Sequence, residues 1–167
     1  SHRGFIEVTT ELGAGTTFSI FLPALEHPVE HVDPAEEMKE NISGEGATIL
    51  VIEDEEMLRE LLRSILNSIG YQVMTAGDGE EGVDMFRKSK DRVALVISDL
   101  GLPKLSGEEV VGRIREISGK AKVAIASGFI DPEVKSELEK EGITHFIQKP
   151  YKMAEVIRIV NEILGGH

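Results

Sequence analysis

The chain has 167 residues, 41% of them apolar, with 30 acids against 18 bases, no cysteine and a formal charge of −12. That length suits one ordinary domain with something added, and the apolar share is enough for a packed core. The negative charge argues against a nucleic-acid partner, the missing thiols remove disulfides and thiolate chemistry, and no apolar run approaches the ~20 residues of a membrane span.

Position 1 is Ser with no signal peptide behind it, so the sequence is expected to be a piece of something longer, whose parent is free to be membrane-anchored. Residues 1–26 read as a β-hairpin, with strands Gly4–Thr10 and Thr16–Leu22 around Gly13 and Gly15. A lone hairpin is marginal in water, and Phe5, Ile6, Val8, Phe18, Ile20 and Leu22 have nothing local to cover them. Three outcomes are open: docking on the rest of the chain, self-association with a second copy, or no order.

Residues 27–46 shift in composition. Pro28, Pro34, Gly44 and Gly46 punctuate a run of acids (Glu30, Asp33, Glu36, Glu37, Glu40, Glu45) against the single base Lys39, which reads as a solvated tether. Met38 and Ile42 are too few apolar anchors for a long helix.

Residues 47–167 alternate short apolar runs with helical patterns. TILVI precedes a helix whose Leu58, Leu61, Leu62, Ile65, Leu66 and Ile69 follow one-faced spacing until Gly70. YQVMTA leads through Gly77 and Gly79 into a weaker helix holding Val83 and Phe86. VALVIS is a continuous apolar strand of the kind buried on both faces. Ser106 and Glu109 form a capping box before the helix with Val110, Ile114 and Ile117. KVAIAS follows, then a helix opened by Asp131 and Pro132 and stopped by Gly142. ITHFIQ and a helix from about Tyr151 to Leu164 complete the pattern. Strands alternating with helices predict a doubly wound, three-layer α/β domain of about 120 residues with a parallel sheet in the order 2-1-3-4-5.

Four of these runs break off at polar residues: Glu53 and Asp54, Asp99, Ser127, and Lys149. In open α/β sheets ligands bind outside the carboxyl ends of the strands, so parallel pairing gathers all five at the expected binding edge. Three acids at close quarters raise one another's pKa unless a cation joins them, which points to a hard divalent ion, Mg²⁺ first. Asp99, held out by the turn LGLP, suits a nucleophile that forms an acyl phosphate. Lys149 and Ser127 suit the phosphoryl oxygens, and the Gly101 carbonyl suits the metal.

In the order and spacing of Glu53-Asp54, Asp99, Ser127 and Lys149-Pro150, residues 47–164 closely resemble the receiver domain of two-component response regulators. The resemblance implies a flavodoxin-like fold in a bacterial, cytoplasmic signalling protein, with Asp99 taking a phosphoryl group from a phosphohistidine. Mg²⁺ would lie between Asp54, Asp99 and the Gly101 carbonyl, with Glu53 in support. Ser127 and Lys149 would contact the phosphoryl group, and Phe146, lacking the hydroxyl of a tyrosine, would be the aromatic that moves with Ser127. The partner implied is a histidine kinase or histidine phosphotransfer protein. GFIEVTTELGAGTTFSIFLPA resembles the last hairpin of a sensor histidine kinase ATP-binding domain, with Gly13-Ala14-Gly15-Thr16 at its final glycine box. Together the segments resemble the carboxy-terminal part of a hybrid histidine kinase. Two competitors stay open: a receiver-fold binding module that is never phosphorylated, and a haloacid-dehalogenase-like phosphatase, which needs a second Asp where Gly101 stands.

Overall fold

The computed structural model of the chain describes residues 4–13, 15–21 and 46–165. They fall in two units, Ser1–Asp33 and Pro34–His167, each taken here by itself. Ala14, Leu22 and all of the predicted tether except Gly46 lie outside the described residues.

In the first unit, β1 (Phe5–Glu11) and β2 (Gly15–Phe21) pair antiparallel, with Phe5 opposite Phe21 and Glu11 opposite Gly15. Gly13 and Gly15 carry φ of 85° and 105°, left-handed values that only glycine adopts without strain. The Phe5 and Phe21 rings stack at 4.6 Å, the arrangement expected of an aromatic cross-strand pair.

The second unit alternates β3 (Thr48–Ile52), α1 (Glu56–Ser68), β4 (Gln72–Ala76), α2 (Gly79–Ser89), β5 (Val93–Asp99), α3 (Gly107–Ile117), β6 (Val123–Ser127), α4 (Pro132–Lys140), β7 (Phe146–Gln148) and α5 (Met153–Leu164). All pairings are parallel and the sheet order is β4-β3-β5-β6-β7, which is the expected 2-1-3-4-5. Side chains alternate between two cores because strand period is two residues. Ile49, Val51, Leu95, Ile97 and Ala124 pack with α1 and α5 on one face, while Leu50, Ile52, Val96 and Ile125 pack with α2, α3 and α4 on the other. The central strands are therefore buried on both sides, which is why they read as unbroken apolar runs.

Helix boundaries follow local chemistry. The Ser106–Glu109 capping box forms in full, and Asp131 accepts from the Glu133 N–H with Pro132 next. Three details differ from the pattern. Leu61 is 42% exposed, because it lies at the margin of a stripe whose centre, Leu62, Ile65 and Leu66, is covered. Helix α5 begins at Met153 and leaves Tyr151 outside it, while Ile159 joins the buried stripe. Strand β7 keeps only three residues, although the His145 carbonyl still accepts from the Ile125 N–H at the sheet edge.

Asp78 ties two of these elements together. It caps α2 by accepting from the Glu81 N–H at 2.9 Å, and its other oxygen meets the Lys104 ammonium at 2.6 Å in the loop after β5. The Glu81 hydrogen bond first, and then Lys104, hold its carboxyl below the ordinary value. A carboxyl depressed on folding contributes stability above its unfolded value, and the contribution fades as pH falls through the folded one. Asp78→Asn keeps the cap and removes the charge. Its deficit in urea midpoint against wild type should be present at neutral pH, begin to fade near the ordinary 3.8, vanish once pH falls below the lowered folded value, and shrink with added salt.

Candidate functional site

Strand alternation decides which way the site residues face. Glu53 follows Ile49 and Val51, Asp99 follows Leu95 and Ile97, and Lys149 follows Ile147, all members of the core beneath α1 and α5. The three side chains consequently converge above that core at the carboxyl ends of β3, β5 and β7. The Lys149 ammonium lies 2.7 Å from Asp99 Oδ2 and 2.8 Å from Glu53 Oε2, bridging two strands that it does not adjoin. Strand β6, lying between, carries only the small Ala126 and Ser127 at this level.

Glu53 is fully buried, which an unpaired carboxylate could not sustain. It accepts from Lys149 and, at 2.6 Å, from the Tyr151 hydroxyl. Burial alone would depress the Lys149 pKa, but hydrogen bonds and charges from Asp99 and Glu53 outweigh it, and the ammonium sits above the ordinary lysine range. Burial, followed by the bond to Glu53, raises the Tyr151 phenol, which stays a donor at any working pH. Asp54 is exposed at the rim.

Glu53, Asp54 and Asp99 each offer a carboxylate oxygen within 4.8 Å of the others. Three hard oxygen donors at that spacing, with one ammonium against them, fit a divalent cation of the Mg²⁺ type. The Asp54 carboxylate accepts no hydrogen bond among the described residues and that of Asp99 accepts two, against three donor contacts on Glu53, so Asp54 and Asp99 have the most room to ligate directly.

A family model of the response regulator receiver domain matches residues 49–161. The chain belongs to this family. The sensor kinase CckA of Brucella abortus is 30% identical over 96% of this chain, which spans only 18% of that kinase. A response regulator receiver domain protein from Clostridium thermocellum superposes with a TM-score of 0.68 at 29% identity, covering 71% of this chain and 94% of its own. CheY of Borrelia burgdorferi, solved with CheX, BeF₃ and Mg²⁺, gives 0.67 at 26% identity over 70% and 88%.

Other expected site residues of this receiver are placed differently from the acid–lysine cluster. The Ser127 hydroxyl is engaged in its own turn, donating to the Phe129 carbonyl at 2.6 Å and accepting from the Phe129 N–H at 3.2 Å. Gly101 presents its N–H to Asp99 Oδ1 at 3.3 Å. Phe146 is half-buried in β7 against the α2–α4 core, with the Lys135 ammonium 5.2 Å from its ring centre.

Sequence reasoning missed three contributors. Tyr151 read as a helix start. Arg59 clamps the backbone of the acid pair, donating to the Glu53 carbonyl at 2.6 Å and the Asp54 carbonyl at 3.1 Å. Its position one turn into α1 was the available signal. Gly107, the first residue of α3, donates to the Leu100 carbonyl at 2.9 Å, and a Cβ there would meet the Asp99 carbonyl oxygen at 2.5 Å and Leu100 Cα at 2.7 Å. Backbone atoms cannot rotate away as a side chain can. Gly107→Ala should therefore displace the Asp99–Leu100 segment and cost about 1–3 kcal/mol in chemical unfolding. An unchanged midpoint would show that α3 has room to move.

Proposed function

We propose that this receiver accepts a phosphoryl group on Asp99 from a phosphohistidine of a histidine kinase or phosphotransfer protein. The observation carrying the reading is the Asp99 carboxylate at the sheet edge, with Lys149 on Oδ2 and Asp54 alongside. An Asp99 oxygen attacks phosphorus, the O–P bond forms as the P–N bond breaks, and the imidazole nitrogen keeps the electron pair. Lys149 offsets the negative charge that the acceptor and phosphoryl group bring together. Asp54, Asp99 and the Gly101 carbonyl, with Glu53 in support, would hold Mg²⁺, which when bound would supply charge neutralisation for the phosphoryl oxygens. Ser127 exchanges its Phe129 partner for a phosphoryl oxygen, and Phe146 moves into the space this releases, altering the surface of α4, β7 and α5.

The rim supports a protein donor. Met57, Phe129 and Met153 are exposed apolar side chains a few residues past the carboxyl ends of β3, β6 and β7, and Leu61 is exposed about a turn further along α1. Such residues around a polar centre suit docking of a partner's apolar surface.

The parent is read as a hybrid histidine kinase, with residues 1–26 as the end of its ATP-binding domain, 27–46 as tether and 47–167 as receiver. An alignment with the Brucella kinase that covers 96% of the chain takes in the hairpin as well as the receiver and supports this. ATP-dependent charging of the donor histidine puts the reaction in the cytoplasm.

Incubation with acetyl phosphate and Mg²⁺ should add the mass of one phosphoryl group to wild type, mapped to Asp99, and none to Asp99→Asn. Absence of the adduct from wild type overturns the reading. For the hairpin, we expect self-association through its uncovered apolar faces. Deleting residues 1–26 should lower the number of copies per particle, taken as the light-scattering mass divided by the chain mass, and an unchanged number of copies excludes pairing.

A further inference from the structure

Tyr151 is a polar side chain in direct contact with the acid–lysine cluster that the phosphoryl-transfer reading leaves without a task. Its ring belongs to the core beneath α1 and α5, and its hydroxyl donates to Glu53 Oε2 at 2.6 Å. Lys149 approaches the two oxygens of the same carboxylate at 3.0 Å and 2.8 Å. A carboxylate offers about four lone-pair sites, so these contacts occupy most of what Glu53 can give. Asp54 is the opposite case: it is exposed, and among the described residues its carboxylate accepts no hydrogen bond. The acids of the cluster are thus chemically unequal, and the phenol beside Glu53 enforces the difference.

We propose that Tyr151 is a positioning residue that sets the metal affinity of the acid cluster by holding Glu53 on Lys149 and away from the cation. The inference rests on the reading that Mg²⁺ binds among these carboxylates. Direct ligation is left to Asp54 and Asp99. Removing the hydroxyl leaves a fully buried carboxylate one donor short, and the strongest replacement within reach is a divalent cation. The predicted sign is the reverse of ordinary damage: loss of the phenol tightens metal binding, whereas a loosened site binds more weakly.

The test is calorimetric titration of Mg²⁺ into the full chain as wild type, Tyr151→Phe, Glu53→Gln and the double variant, with thermal melting to confirm that each is folded. Tyr151→Phe keeps the ring in its core position and should lower the Mg²⁺ Kd by about three- to tenfold. In the Glu53→Gln background the same substitution should change nothing, since the hydroxyl then has no carboxylate to hold. Carbon NMR gives a direct second reading: the Glu53 carboxylate signal should move on Mg²⁺ addition in Tyr151→Phe more than in wild type. Weaker or unchanged binding in folded Tyr151→Phe overturns the proposal, as does an equal shift in the Glu53→Gln background. A wild-type chain that takes up no Mg²⁺ overturns the metal reading beneath it, so the two failures are distinguishable.

Discussion

Everything at the sheet edge depends on one ammonium placed between two buried carboxylates. Like charges about 4 Å apart repel by roughly 4 kcal/mol at an effective dielectric of 20, and burial makes each more costly to leave bare. Lys149 resolves this by lying within 3 Å of both Glu53 and Asp99. Removing one partner of such a group leaves an uncompensated charge, which costs more than the pair itself contributes. The sheet order permits this bridge: with β3 beside β5, and β7 beyond β6, whose residues at this level are small, a single long side chain reaches both acids.

The layers around the sheet serve that geometry by close approach. Gly107 lets α3 start against the backbone of Asp99 and Leu100, and Gly82 lets α2 lie where a Cβ would meet Ile52 Cδ1 at 2.4 Å. On the other face Tyr151 and Arg59 reach the acid pair from α5's leading loop and from α1, one through the Glu53 carboxylate and one through main-chain carbonyls. Two elements thus reach the adjacent acids Glu53 and Asp54, and two more close in on Ile52 and Asp99 beside them. The proposed phosphoryl transfer would draw on this rigidity, since such transfer is mostly a matter of positioning and charge neutralisation.

Much of this was legible in the chain. The continuous apolar run VALVIS marked β5 as buried on both faces, and the Ser106–Glu109 box placed the start of α3. The polar residues that close the strands could be assigned to one edge because parallel strands all end on the same side. What escaped were contacts made across the fold. Tyr151 was indistinguishable from a helix-starting aromatic, and Arg59 from a solvated arginine, because their partners are neighbours in space and not in a periodic pattern. Ser127 was placed at the right strand end, but its hydroxyl partner, two residues on, was a matter of turn geometry.

The sequence by itself determined the alternation of strands and helices, which alternate residues of a strand share a face, and the set of polar groups available at the carboxyl edge. Those follow from local periodicity and capping, which need no knowledge of the partner elements. Only the tertiary structure decided that Lys149 bridges Glu53 and Asp99, that Glu53 is saturated while Asp54 is open, and that Ser127 is turned to its own loop. The physical reason is that hydrogen bonds and ion pairs need donor–acceptor distances near 3 Å, met to within a few tenths of an ångström, and those distances are set only once the layers and their turns have packed.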